Sequence, residues 1–250
     1  MKSNLSAAAF LLILAVCFTL GLISALAGRA SVGQPAQTST AAQDGQDQTA
    51  ILIVGVDDLQ AERPSLLAVW VATYRLPGRE LFLLGLPADL TATSASDGSL
   101  SELFRFSPVN GLAAEFSRAV FEHVPLTPDL VVVLDRTAFT AVVDYLGGLD
   151  LNGAHLDGIE VIAVLDMLAG DAQASLATQA RVLEAMTLRA PPLGDSPDIT
   201  SLLQLVPTHA YLSDSVGLAV GLASPLLPIE PPMVHFDVLE TGSGMQTPVE

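Results

Sequence analysis

Half of the 250 residues are hydrophobic and only 15% are charged, which excludes a polar disordered protein and leaves enough apolar material for one sizeable core. The formal net charge is −17, from 27 acidic residues against 10 basic ones, and Lys2 is the sole lysine. So acidic a surface repels polyanions at long range, so nucleic acid is not expected as a partner.

Residues 1–6 carry Lys2, and the stretch from Ala7 to Ala27 that follows has no charge until Arg29. About 20 apolar residues, each rising roughly 1.5 Å, suffice to cross a bilayer as a helix. Residues 7–28 therefore read as a transmembrane anchor, with residues 1–6 cytoplasmic. A signal peptide is the alternative, with Ala25-Leu26-Ala27 as its small-residue cleavage site. Both readings place the rest of the chain outside the cytoplasm, and the first predicts a single-pass protein of the cell membrane. The one cysteine, Cys17, lies inside this segment, so the exported part has no disulfide to rely on.

Residues 29–49 are small and polar, without apolar periodicity, and read as a flexible linker. The folded region is expected over residues 50–240, with a polar tail at 241–250. A buried strand spans 50–57, a second covers 66–74, and the Pro77-Gly78 turn returns the chain as a third over 80–86. A Ser/Thr-rich loop follows over 91–101. Helical spacing of Leu112, Phe116, Ala119 and Val120 predicts a helix over 111–123. Leu130 to Leu134 is another buried strand, and Phe139, Val142, Val143 and Leu146 predict a helix over 136–146 that stops at Gly147-Gly148. Helices are predicted at 159–168, with Asp157 as N-cap, and at 174–188. A proline-rich break covers 190–198, apolar helical stretches cover 199–206 and 212–222, and a last strand covers 233–239. This order predicts an α/β/α sandwich with a central mixed sheet containing antiparallel hairpins.

Two strands end on carboxylates: ILIVGV on Asp57 and Asp58, and ELFLLGL on Pro87-Ala88-Asp89. Ligands of open α/β sheets sit outside the carboxyl ends of strands, so these aspartates mark a candidate site. Capping or loop solvation is the plain structural reading of the same pair. His123, His155, His209 and His235 are scattered, form no ligand pair, and read as ordinary residues; Trp70 reads as core.

In order and spacing, ILIVGVDD, LFLLGLPADL, VNGLAAEF, LVVVLDRTAFTAVVDYLGGLDL, LDGIEVIAVLDML and ATQARVLEAM resemble the LytR-CpsA-Psr family of membrane-anchored cell-envelope proteins. DYLGGLDL followed by LDG is the strongest piece, and the resemblance covers about residues 50–188. It implies transfer of glycopolymers from a polyprenyl-pyrophosphate carrier to the cell wall, with Mg²⁺ as cofactor. Carboxylates would hold the cation, arginines would fork onto pyrophosphate oxygens, and an apolar groove would take the lipid. A polyprenyl-pyrophosphate-linked glycan or related lipid, and the membrane itself, are the implied partners.

Carried onto this chain, the resemblance implies metal ligation by Asp57 and Asp89, with Asp89 also catalytic. The arginine of the Pro-Arg-Asp motif is Ala88 here. The Arg-Ser-Asp element reads Arg63-Pro64-Ser65-Leu66, so its aspartate is absent while Arg63 is the candidate to keep its positive role. A helix that ends on two arginines in the family reads Val164-Leu165-Asp166-Met167-Leu168, and the Arg-Gln pair after it reads Thr178-Gln179. Arg181 is the candidate catalytic substitute; Asp58, Arg105 and Arg136 are candidate binding residues, and Arg118 could help only if folding brings it in. Losing several charge-assisted contacts, each worth roughly 1.5–3 kcal/mol, predicts impaired or lost catalysis. The remaining alternative is a non-catalytic polyprenyl-lipid-binding or scaffold module.

Overall fold

The computed structural model describes residues 48–75, 80–92, 98–168, 170–189, 200–215, 218–219, 222 and 233–239. The expected anchor at 7–28, the linker up to 47, the turn at 76–79, the break at 190–198 and the tail at 241–250 lie outside the described residues. Among the described residues no helix is long and apolar enough to cross a membrane.

Strand β1 (Gln48–Val56) begins two residues before the expected Ala50. It pairs antiparallel with β2 (Leu66–Arg75), which pairs antiparallel with β3 (Leu81–Leu86). After α1 (Leu100–Leu103) and the small hairpin β4 (Phe106–Ser107) and β5 (Gly111–Leu112) comes α2 (Ala114–His123). Strand β6 (Leu130–Leu134) then lies parallel to β1. Helix α3 (Arg136–Tyr145), hairpin β7 (Leu149–Leu151) and β8 (Ala154–Leu156), α4 (Gly158–Asp166) and α5 (Ala172–Arg189) follow. Past α6 (Thr200–Leu203), β9 (Ala210–Leu212) joins β6 antiparallel, and β10 (Val234–Val238) joins β3 parallel. The mixed sheet has the order β10-β3-β2-β1-β6-β9.

Alternation along the strands divides the core. Ile51, Trp70, Ala72, Leu83 and Val132 face one way, onto α3, α4 and α5 through Val142, Val161, Leu176, Val182 and Met186. Leu52, Val54, Val56, Val69 and Val133 face the other way, onto α1 and α2 through Leu100, Phe116 and Val120. A sheet whose central strands are covered on both sides has near-continuous apolar runs, which is why ILIVGV and LVVVL look as they do. Each fully buried Val or Leu contributes roughly 1.5–3 kcal/mol, so this layering is the main source of stability in a chain without disulfides.

Several local expectations shift. The helix predicted from residue 111 starts at Ala114, because Gly111, at φ +71°, and Leu112 pair with Phe106-Ser107. The stretch Ala210–Leu212, at the edge of a segment expected to be helical from 212, is a strand; three residues are too few for periodicity to show. Hairpin β7-β8 turns on Asn152-Gly153, both at positive φ, an Asn-Gly signal visible in the sequence. Asp157 caps α4 as expected, in a reciprocal capping box with Glu160. Gly147 and Gly148, at φ +75° and +86°, end α3.

Candidate functional site

Strands β1, β3, β6 and β10 run in one direction, so their carboxyl ends share one edge of the sheet. Asp57, Asp89 and Asp135 follow three of them. The edge thus collects three strand-terminal carboxylates, of which sequence reading singled out two. Asp135 carried the same signal, an apolar run (LVVVL) ending on an acid.

A cavity of about 200 Å³ opens at this edge between the sheet and helices α3, α4 and α5. Its walls are apolar: Ile53, Val56, Leu66, Trp70, Leu86, Phe139, Val142, Ile162, Leu165, Leu176, Val182 and Leu183 among others. Asp135, Arg136, Asp166, Ser175 and Gln179 are the polar residues of its lining, and Ala88 also lines it.

Arg136, the first residue of α3, and Asp166, the last of α4, form a bidentate pair, with Nη1 and Nη2 each donating to one carboxylate oxygen at 2.6 Å. The pairing follows from the helix hairpin. Gly158 opens α4 against the backbone of Thr140, and its N–H donates to Asp144 near the end of α3 at 2.7 Å. The helices then run back along each other until their far ends meet. Arg136 Nε is buried without a hydrogen-bond partner among the described residues. An acid where the resemblance leads one to expect arginine therefore neutralises Arg136, the one arginine that lines the cavity among the described residues.

Gln179 sits in the cavity wall and is fully engaged. Trp70 Nε1 donates to its Oε1 at 3.0 Å, while its Nε2 donates to Leu67 O at 3.0 Å and Ser175 Oγ at 3.2 Å. An indole N–H can only donate and a backbone carbonyl only accept, which dictates the amide's orientation. Trp70 is core, as expected, at 4% exposure, but its indole also forms cavity wall.

Asp57 serves its own loop. Its Oδ1 accepts from Asp58 N at 2.8 Å and Ser65 N at 2.7 Å, closing the turn between β1 and β2. Burial works against its charge, yet the donors from Ser65 and Asp58 outweigh this and hold the carboxyl below its ordinary value of 3.8. Asp58 is exposed and accepts from Gln60 N at 2.9 Å in a local turn. Asp89 is exposed at the end of the β3 turn.

Asp135, 2% exposed, caps α3 by accepting from Ala138 N at 2.9 Å and binds His209 Nδ1 through its other oxygen at 2.7 Å. The expectation that the histidines are satisfied residues holds for His209, and likewise for His155, which bonds Asp150 at 2.9 Å.

The other candidate arginines do not line this cavity. Arg63 and Arg105 share a separate cleft with Glu62, Ser101 and Phe106, and Arg105 donates to the carbonyls of Glu102 and Phe104 at 3.0 and 2.6 Å. Arg181 is exposed on α5, two residues past Gln179. Among the described residues no three His, Cys, Asp or Glu side chains converge as a metal site would require.

This mixed sheet, covered on both faces and with an apolar cavity at the carboxyl ends of its parallel strands, shares the fold of solved structures of the LytR-CpsA-Psr type. The crystal structure of TagV from B. subtilis superimposes with TM-score 0.59 at 15% identity, covering 78% of this chain and 85% of that one. TagT bound to LIIa-WTA gives TM-score 0.59 at 17% identity, covering 81% and 82%. Protein gbs0355 from Streptococcus agalactiae gives TM-score 0.59 at 12% identity, with 77% of each chain covered. Likenesses at these identities establish a shared fold. By sequence, no family model and no curated protein matches the chain.

Proposed function

We propose that the chain is a membrane-anchored, extracytoplasmic protein of the cell envelope that binds the apolar tail of a polyprenyl-linked glycan carrier or related lipid. It is related to the transferases that move glycopolymers from polyprenyl pyrophosphate to the cell wall, and its own catalysis is impaired or lost. The observation that carries this reading is the cavity itself: an apolar lining whose one arginine among the described residues, Arg136, is paired to Asp166. TagT was captured with LIIa-WTA on the same fold, which supports a lipid-linked glycan as the class of partner.

Transfer from a pyrophosphate requires stabilisation of the leaving charge by cations placed beforehand. In this chain Ala88 supplies none, the charge of Arg136 is countered by Asp166, Arg63 and Arg105 face another cleft, and Arg181 is outside the cavity lining. Asp57, through Oδ2, and Asp89 are the carboxylates that would hold Mg²⁺, whose role when bound is to neutralise phosphate charge. With no third ligand converging among the described residues, waters and phosphate oxygens would have to complete its shell.

The test is Mg²⁺-dependent turnover of a polyprenyl-pyrophosphate glycan by the full-length protein in nanodiscs, read as release of the glycan from its polyprenyl phosphate or pyrophosphate leaving group, run beside direct lipid binding. Binding without release above that of Asp57→Ala is the expected outcome. Release abolished by Asp57→Ala would make the chain a working transferase.

A further inference from the structure

Arg63, in the loop between β1 and β2, and Arg105, in the turn between α1 and β4, line one cleft of about 270 Å³. Neither has an acid within ion-pair distance among the described residues, although the chain carries 27 acidic residues against 10 basic ones. The one acid in the lining is Glu62, which is exposed. Each segment that carries an arginine is braced. Ser65 N donates to Asp57 Oδ1 at 2.7 Å, closing the loop of Arg63, and Pro64 within it is buried. Arg105 Nη1 donates to Glu102 O and Phe104 O at 3.0 and 2.6 Å, so neutral acceptors fix the guanidinium without countering its charge. Beneath it Phe104 and Phe106, 3% and 8% exposed, sit edge-on against Phe116 and Tyr211. Two like charges in one cleft repel, and an anion bound there relieves the repulsion. Cations held in place beforehand also lower the cost of binding it.

We propose that this cleft is a second binding site, separate from the apolar cavity, and that it takes the phosphate group of a sugar phosphate on Arg63 and Arg105. One guanidinium fork saturates the two oxygens of a carboxylate. A phosphate monoester has three acceptor oxygens and a charge of about −1.5 to −2, enough to engage two arginines from different segments. Glu62, Ser65 and Ser101 complete a polar lining suited to sugar hydroxyls. The cleft adjoins the carboxyl edge of the sheet: Leu66 lines both it and the apolar cavity, and Ser101 N donates to Ala88 O at 2.8 Å. The phosphate therefore has two sources, a soluble glycan or the head of a lipid whose tail lies across Leu66. The site itself does not depend on the lipid-binding reading.

The experiment is calorimetric titration of the full-length protein, in nanodiscs of neutral lipid and without Mg²⁺, with glucose 1-phosphate and with glucose. Glucose 1-phosphate is expected to bind at least about tenfold more tightly than glucose, and to weaken as salt is raised. Arg63→Gln and Arg105→Gln should each weaken it on the order of tenfold. Glu62→Gln, which removes the acid from the lining, should tighten it by roughly twofold to fivefold. Glucose 1-phosphate binding no better than glucose overturns the site. So does unchanged affinity in Arg63→Gln that folds, as judged by its melting curve; Arg63 is exposed, so this variant leaves the α1 turn intact even where Arg105→Gln does not fold. Preloading with farnesyl phosphate distinguishes the sources. Simultaneous binding of both ligands assigns the cleft to a soluble glycan, and competition assigns it to a lipid head. If farnesyl phosphate does not bind at all, the lipid-binding reading falls while the titration with glucose 1-phosphate still decides the cleft.

Discussion

Arg136 and Asp166 are separated by 30 residues yet hold each other through two parallel hydrogen bonds of 2.6 Å at the rim of an apolar cavity. Their side chains are 36% and 43% exposed, so the pair is screened by solvent, and its importance lies in position more than in stability. Exposed pairs contribute about 0–1 kcal/mol, and bidentate geometry favours the upper half of that range. A double-mutant cycle on Arg136→Gln and Asp166→Asn, followed by urea unfolding, should give a coupling below about 1 kcal/mol. That coupling should shrink in about 1 M salt, where the Debye length falls to about 3 Å.

The helix hairpin that creates this pair depends on Gly158. A Cβ there would lie 2.4 Å from Thr140 O and 2.8 Å from Thr140 Cα, and a helix backbone has little freedom to move aside. Gly158→Ala should therefore push α4 off α3 and cost about 1–3 kcal/mol. Urea unfolding measures that cost, and a shift in the emission maximum of Trp70 shows whether the cavity wall is disturbed with it.

Gln179 ties α5 to the sheet through Trp70 and Leu67. Gln179→Leu preserves bulk but strands an indole N–H and a backbone carbonyl in a part-buried wall. Leaving such groups unpaired costs about 1–3 kcal/mol each at full burial, so a loss toward the lower end is expected. Urea unfolding gives the magnitude. The emission maximum of the sole tryptophan reports whether water reaches the freed indole.

Asp57 should make stability depend on acid. Its carboxyl is held below 3.8 in the folded state, so folding binds fewer protons there than unfolding does. The stabilisation is complete above 3.8 and is lost as pH falls through the lowered folded value. Melting temperatures of wild type and Asp57→Ala, measured from neutral pH downward, should differ by a constant amount and then converge below 3.8. A difference that instead widens with acid would contradict the hydrogen bonds assigned to Asp57.

Secondary structure was legible where residues close in sequence carry the signal. Apolar runs marked β1, β3 and β6, helical spacing marked α2 and α3, Gly147-Gly148 marked a helix end, and Asp157 marked a helix start. The α/β layering followed, because strands buried on both faces cannot alternate with polar residues. Short elements escaped. Strand β9 has three residues and is held by pairing with β6, and β4-β5 has two residues per strand, too little for any period to register.

The site divided along the same line. Strand-terminal acids are local, and Asp57 and Asp89 stood out for that reason, although Asp57 proves to be bonded within its own loop. The missing arginine at Ala88 was equally plain. Which of the remaining arginines could replace it was not, because that depends on helix packing. Arg181, nearest in sequence to Gln179, is exposed on α5, while Arg136 reaches the cavity and is met there by Asp166.

Composition and periodicity thus settled the layers, the strand ends and the shortage of positive charge, since each is written in neighbouring residues. Tertiary packing alone decided the rest. Trp70 meets Gln179 across 109 residues, Asp135 meets His209 across 74, and Arg136 meets Asp166 across 30. Such contacts exist only once the helices are seated on the sheet, and they determine which polar groups at the cavity are still able to bind anything.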